Sequence, residues 1–398
     1  MDKEEIEQKL FLLDQSQAAC THCGLCSEAC ATYQATGWEH ESPRGRIRLS
    51  RDFLQGKIQP NSTALETFDR CLGCRACEIS CPLSVQYQQI HHAVQDLRRA
   101  FQTAPKMPLL RRRYRIWINL AYRIGNRWWR AYGMPLLALF YPFLKTGKPS
   151  FKKSRKQSGP RRQLFLAFCC VQDCFNHDFL RQTLTLLERL GVEPVLDSKQ
   201  PCCGAIFERL IEGGMETIQW AEERQRAMRY QKRCIRDFKR WWKPSTLFLS
   251  KGCQCFMQPF LQEETEDFYA WLKRELNERK ARFVFSRPRV VYYQPYCCQS
   301  KKDSEDPIWE LLKQIEGLTV RWVPSPLSCC GGCKGEALFN PEQAHRLAKQ
   351  KLQEIPAGAA LIVTSPDCWA HFCSFIDSKP IEILYPIQLL CQAECILE

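Results

Sequence analysis

Two hydrophobic patterns alternate through the second half of the chain: short unbroken apolar runs, which read as buried strands, and stripes recurring every three or four residues, which read as helices packed by one face. LFLAFC from Leu164 is such a run, and the stretch after it carries Phe179, Leu180, Leu184, Leu187 and Leu190 as one helical stripe. A short strand over Val192 to Leu196 follows, then Cys202-Cys203-Gly204, a long helix around Trp220 to Trp242, and the strand STLFLS before Cys253. The same order then recurs. VVYYQPYCC reads as a strand, Ile308, Leu311, Leu312 and Ile315 mark a helix, and TVRWV, Cys329-Cys330-Gly331, a helix, the strand LIVTS and Cys368 complete the second copy. Asn340 and Pro341 suit the start of that last helix, and Ala344, Leu347, Ala348, Leu352 and Ile355 form its apolar face. Pro356 and Gly358 stop it. Cys203 to Cys253 spans 50 positions where Cys330 to Cys368 spans 38, so the surplus lengthens the first copy's long helix. Strands alternating with helices predict a mainly parallel sheet in each copy.

A different pattern occupies the basic stretch between the N-terminal region and these repeats. From Tyr114 to Tyr132, helical projection puts Tyr114, Trp117, Ile118, Ala121, Gly125, Trp128 and Tyr132 on one face and Arg115, Asn119, Arg123, Asn126, Arg127 and Arg130 on the other. Net charge sharpens the picture. The chain of 398 residues carries +14, yet Arg98 to Arg162 holds 18 Lys or Arg and no Asp or Glu, leaving −4 for the remainder. Such a helix suits the surface of an anionic membrane, and packing on a partner subunit suits it equally. The longest apolar run nearby, Met134 to Leu144, contains two prolines and is too short to span a bilayer. Nucleic acid ranks low, because the rest of the chain is acidic and shows no reading module.

Composition adds one outlier, 25 cysteines. The beginning, MDKEEIEQKL, lacks the basic-then-apolar pattern of a signal segment, so reduced thiols that bind metal are expected rather than disulfides. Cys20, Cys23, Cys26 and Cys30 stand at C-x2-C-x2-C-x3-C, and Cys71, Cys74, Cys77 and Cys81 repeat that spacing. A turn with a thiolate at every third residue wraps three irons of a [4Fe-4S] cubane, and the fourth cysteine reaches the other cluster. One cluster is therefore expected on Cys20, Cys23, Cys26 and Cys81, and the other on Cys71, Cys74, Cys77 and Cys30. Tetrahedral zinc prefers separated C-x2-C knuckles. Ala31 stands where a proline often follows the fourth cysteine, which alters a turn but no ligand. Arg44, Arg46, Arg70 and Arg75 lie near the motifs, where cations would favour reduced clusters if close; solvated side chains without that effect are the commoner outcome.

The doubled motif, with Pro43-Arg44-Gly45-Arg46 between its halves, resembles the N-terminal half of glycolate oxidase iron–sulfur subunits. The Cys-Cys-Gly repeats are similar to the cysteine-rich domains of heterodisulfide reductase B-type subunits and of the anaerobic glycerol-3-phosphate dehydrogenase C subunit. The likeness covers most of the chain and is thin from Arg98 to Arg162. It implies an α+β multidomain protein: residues 1–97 a helical ferredoxin-like domain with two [4Fe-4S] clusters, 98–162 a basic aromatic connector, and 163–286 and 287–398 two α/β cysteine-rich domains. It also implies one or two further iron–sulfur centres. Mapped here, the first repeat offers Cys170, Cys202, Cys203 and Cys253, and the second Cys297 or Cys298 with Cys329, Cys330 and Cys368. Convergence is physically reasonable, since each cysteine follows a strand and strand ends share one edge of such a sheet. Where the full pattern has two cysteines separated by two residues, this chain has Cys253-Gln-Cys255 and Cys368 followed three positions on by His371. Free cysteines packed in a core remain the alternative. That is the expectation for Cys234, Cys391 and Cys395, while Cys169, Cys174, Cys333 and Cys373 adjoin the sites.

No dinucleotide or phosphate loop appears, so neither flavin nor NAD is expected on this chain, and none of its seven histidines is nominated as catalytic. The resemblance therefore implies an electron-transfer subunit. It would relay electrons from a separate FAD-binding 2-hydroxy-acid dehydrogenase subunit toward the quinone pool, in the cytoplasm or peripherally on the cytoplasmic face of the inner membrane. Glycolate is the first substrate implied, with D-lactate and glycerol-3-phosphate as alternatives; a heterodisulfide-reductase-like catalytic subunit is the competing class.

Overall fold

A computed structural model describes residues 14, 18–59, 62–100, 163–197, 200–205, 218–261, 265–296, 306–324, 329–332, 341–375 and 379–396. The connector over 101–162, with its amphipathic helix, lies outside the described residues, as do Cys297, Cys298 and Cys333.

The N-terminal part is helical. Its elements are α1 (Leu25–Glu28), α2 (Ala31–Thr36), α3 (Pro43–Leu54), α4 (Ser62–Asp69), α5 (Ala76–Ile79) and α6 (Tyr87–Ala100). Ser42 caps α3, accepting a hydrogen bond from Gly45 N at 2.8 Å, and Pro43 occupies the first turn, where its missing N–H is not needed. Ile47 of α3, Leu65 and Phe68 of α4, and Ile90 and Val94 of α6 bury one another beneath the cysteine motifs.

The first repeat contains β1 (Gln163–Ala167), α7 (Cys170–Phe175), α8 (His177–Arg189), β2 (Glu193–Leu196), α9 (Ile218–Trp241), β3 (Thr246–Phe248), α10 (Lys251–Met257) and α11 (Phe268–Glu278). Its sheet is wholly parallel, ordered β2-β1-β3. On α8 the expected stripe is buried at Phe179, Leu180 and Leu187, but Leu184 is only half-buried, and Thr183 and Leu186 are enclosed instead. The thicker stripe arises because α8 is covered both by its own sheet and by Tyr385 of the second repeat, whose ring centroid is 4.5 Å from that of Phe179.

The second repeat contains β4 (Arg282–Gln294), α12 (Pro307–Lys313), β5 (Glu316–Trp322), α13 (Pro341–Gln353), β6 (Ala360–Val363), α14 (Pro366–Cys373), β7 (Glu382–Leu384), α15 (Pro386–Leu390) and β8 (Glu394–Ile396). Its sheet runs β5-β4-β6-β7 in parallel, and β8 adds antiparallel to the first half of β4. The five apolar positions read from the sequence on and after α13 are all buried. One apolar cluster joins Phe179 and Leu187 to Trp271, Tyr293 and Leu389, so the two repeats share a core.

Candidate metal centres

The two N-terminal motifs fold alike for a backbone reason. His22 and Gly24 in the first and Gly73 and Arg75 in the second all adopt positive φ, two and four residues after the leading cysteine of each run. Left-handed residues alternating with right-handed ones curl the chain into a concavity whose N–H groups face inward, a form that suits anionic sulfur. For Arg75 this conformation costs roughly 1–2 kcal/mol, which the surrounding structure must hold in place.

Each concavity borders a cavity. One, of about 440 Å³, is lined by Cys20, Cys23, Cys26 and Cys81, with Arg44 and Ile47 in its wall. The other, of about 580 Å³, is lined by Cys30, Cys71, Cys74 and Cys77, with Arg46 and His91. The grouping crosses between the motifs, and Cys77 borders both spaces. Among the described residues no set of three or more Cys, His, Asp or Glu is arranged to hold a single metal ion; the thiols surround space instead. Burial pushes the Cys26 thiol up to about 11 and holds Cys74 and Cys77 well above the usual thiol range. Loading such a site with metal therefore releases protons.

Arg46 departs from the expected solvated arginine. Its side chain is only 1% exposed and donates to Thr67 O at 2.8 Å, to Thr32 Oγ1 at 3.2 Å and to Glu41 O. Burial works against its charge, but Tyr87, Cys71, Cys30 and Glu41 outweigh that and raise its pKa, so a fixed cation borders the second cavity. Arg70 pairs with the buried Glu41, Arg44 pairs with Glu39 at 2.7 Å while bordering the first cavity, and the exposed Arg75 pairs with Glu78 at 2.7 Å.

In the first repeat, β1 and β3 deliver Cys169, Cys170 and Cys253 to the same sheet edge, where Cys202 and Cys203 meet them. A cavity of about 280 Å³ is lined by Cys170, Cys202, Cys203 and Cys253. Cys203 Sγ donates to Cys253 Sγ at 3.6 Å, and Cys169, Cys170 and Cys202 stand close enough to act on one another's ionisation and on that pair, so five sulfurs gather at this edge. Neighbouring thiols, Cys170 foremost, hold Cys202 and Cys169 well below the usual thiol range by sharing their protons with these two sulfurs. Cys234 does more than pack a core. It is fully buried on α9 and bonds to Cys202. Its signal in the sequence is the narrow stripe Ala227, Tyr230, Cys234 and Phe238 through an otherwise charged helix, all four buried. Cys255 is exposed, as its position two residues along α10 from Cys253 dictates.

In the second repeat Cys329, Cys330 and Cys368 are buried, and the Cys330 and Cys368 sulfurs lie 3.0 Å apart. Burial alone pushes Cys373 up to about 12. Cys391 and Cys395 are half-buried against the shared core. The glycine after each cysteine pair is required by two constraints. Gly204 and Gly331 have φ of 92° and 86°, and a side-chain carbon would stand 3.0 Å from Cys234 Cβ at the first and 2.7 Å from Ala344 O at the second.

The second repeat also meets the N-terminal cavity. Ala31, Leu72, Cys329 and Leu347 form one buried cluster with Cys74 against it, and Gln343 donates to Arg70 O at 2.9 Å. Cys329 is close enough to oppose the ionisation of Cys74, after burial itself the largest influence on that thiol.

Comparison with known proteins matches residues 16–85 to a 4Fe-4S dicluster domain and residues 164–237 and 290–373 to a cysteine-rich domain. The glycolate oxidase iron-sulfur subunit of Escherichia coli (strain K12) is 26% identical over 403 residues, covering 93% of this chain and 94% of that protein. The probable glycolate oxidase iron-sulfur subunit of Bacillus subtilis (strain 168) is 25% identical, covering 88% and 86%.

Proposed function

Since the chain belongs to the family of glycolate oxidase iron–sulfur subunits, and is on that ground an iron–sulfur electron-transfer subunit, we propose that it drains electrons from a partner FAD-binding subunit that oxidises a 2-hydroxy acid, glycolate first. The electrons pass toward the quinone pool. Iron–sulfur clusters, when bound, accept and release single electrons, which a two-electron flavin donor requires of its relay.

The chain's own residues supply the rest. Cys20, Cys23, Cys26 and Cys81 hold one cluster, Cys30, Cys71, Cys74 and Cys77 the other, and Arg46 favours the reduced form of the second. The observation that carries this reading is the division of eight thiols between two cavities that share Cys77, the second of them abutting Cys329 of the second repeat. That contiguity supports a path of redox sites through the fold rather than isolated structural metals. The basic connector supports a peripheral position at the cytoplasmic face of the inner membrane; among the described residues no helix is long and apolar enough to cross one.

The test uses the anaerobically purified chain with and without its FAD-binding partner. Alone, it reduces no dye when given glycolate. With the partner, glycolate bleaches the cluster absorbance. Glycolate-dependent dye reduction by the chain alone, or a cluster that stays oxidised when the partner is reduced, contradicts the proposal. D-lactate and glycerol-3-phosphate in the same assay decide the substrate. The gathering of five cysteines in the first repeat is the feature that favours a catalytic disulfide reductase, and disulfide cleavage with a low-potential donor and no flavoprotein would establish that reading instead.

A further inference from the structure

The second repeat brings a histidine to its cysteines. Cys368 and His371 stand three residues apart on α14, on one face of the helix, and Cys368 Sγ lies 3.0 Å from Cys330 Sγ. His371 is fully buried. Its Nε2 lies 3.1 Å from Ala344 O, and since a carbonyl only accepts, the ring proton sits on Nε2. Nδ1 is therefore a bare lone pair, shielded from water and without a hydrogen-bond partner. The Cys329-Cys330-Gly331-Gly332 turn packs against the root of this side chain: a side-chain carbon at Gly332 would stand 2.8 Å from His371 Cβ and 3.2 Å from its Cγ. Cys329 is also near enough to act on the charge of the imidazole.

A buried acceptor with no donor is costly and rare enough to need a reason. Donation of one ring N–H to a backbone carbonyl is how proteins orient an imidazole whose other nitrogen binds metal. We propose that His371, through Nδ1, is a ligand of an iron–sulfur centre in the second repeat, beside Cys330 and Cys368. Cys368-x2-His371 then takes the place of a second Cys-x2-Cys. The inference rests on the reading of the repeats as cluster-binding. Imidazole in place of thiolate raises the potential of the iron it binds, and the site lies next to the cavity of Cys74, so it is placed to draw electrons from the cluster there.

The test labels the full chain with ¹⁵N-histidine, loads it anaerobically with iron and sulfide, and records pulsed EPR hyperfine spectra after reduction. The expected result is iron clearly above the roughly eight per chain of two cubanes, with a nitrogen coupling that follows the isotope and disappears in His371→Cys and His371→Ala. His371→Cys keeps a ligand, so it retains the extra iron at a lowered midpoint potential. The eight N-terminal irons report in both variants that the fold is intact. Extra iron without a histidine coupling, or a coupling that survives His371→Ala, overturns the ligand role while leaving a cluster in the repeats. Iron that stops at eight overturns the cluster reading and the ligand role with it.

Discussion

Arg46 shows what a single residue contributes that spacing alone does not reveal. The eight N-terminal cysteines announce themselves by position, because a cubane demands thiolates at fixed intervals. Nothing local marks Arg46 as different from Arg44 or Arg48, since the groups that accept its N–H bonds come from Thr32, Glu41 and Thr67 on three separate stretches. Replacing it with methionine keeps the bulk and removes the charge. The midpoint of the cluster proposed on Cys30, Cys71, Cys74 and Cys77 should fall by on the order of 100 mV, the size expected for one charge a few ångströms away in a partly screened interior. The orphaned carbonyls should cost about 1–3 kcal/mol of stability. Redox titration followed by EPR reads the first and thermal unfolding the second; an unchanged midpoint would mean that the guanidinium does not act on the cluster. His371 was likewise visible in the sequence only as a departure from the cysteine pattern, and its unpartnered nitrogen emerges once Ala344 is seen to take the other one.

Elements were legible where one period dominated. The apolar faces of α12 and α13 follow directly from their 3.6-residue repeats, and β1, β3, β6 and the second half of β4 follow from short apolar runs. The start of β4 and the whole of β7 and β8 were not: Arg287, Pro288 and Arg289 separate the apolar run Phe283 to Phe285 from Val290, and its partners lie far along the chain, Arg282 to Val284 against Glu394 to Ile396 and Val284 against Glu316. The turn before α3 carries a sharper constraint. A side-chain carbon on Gly45 would fall 1.9 Å from Glu39 O, a backbone atom that cannot swing aside. Gly45→Ala should therefore push α3 off the 39–41 turn and lower stability by about 1–3 kcal/mol or more, seen as a fall in melting temperature with loss of iron. Gly37→Ala is the control, since nothing lies within 4 Å of the added carbon and only its left-handed backbone is strained. Equal losses at the two positions would show that crowding at Glu39 is not what requires Gly45.

For the whole molecule, the consequential feature is the seating of the second repeat on the N-terminal cysteine cavity. It joins residues more than 250 positions apart, Leu72 with Leu347 and Cys329, and no periodicity encodes it. Leu347→Ala should cost about 2–5 kcal/mol, as truncation of a fully buried leucine does, and should slow electron passage beyond the cluster of Cys71, Cys74 and Cys77 more than it slows that cluster's own reduction. Stopped-flow reduction separates the two steps, and equal slowing would argue against passage across this junction. The connector acts at the same scale: deleting Arg111 to Leu144 should abolish salt-sensitive binding to anionic vesicles, and undiminished binding would rule out an interfacial helix there.

All these expectations depend on the two thiol-lined cavities near the amino terminus being filled by inorganic iron and sulfide. Counting iron, zinc and acid-labile sulfide on the full chain purified without oxygen addresses that directly. At least about eight irons and eight sulfides per chain are expected; one or two zinc ions with no sulfide would contradict an iron–sulfur filling.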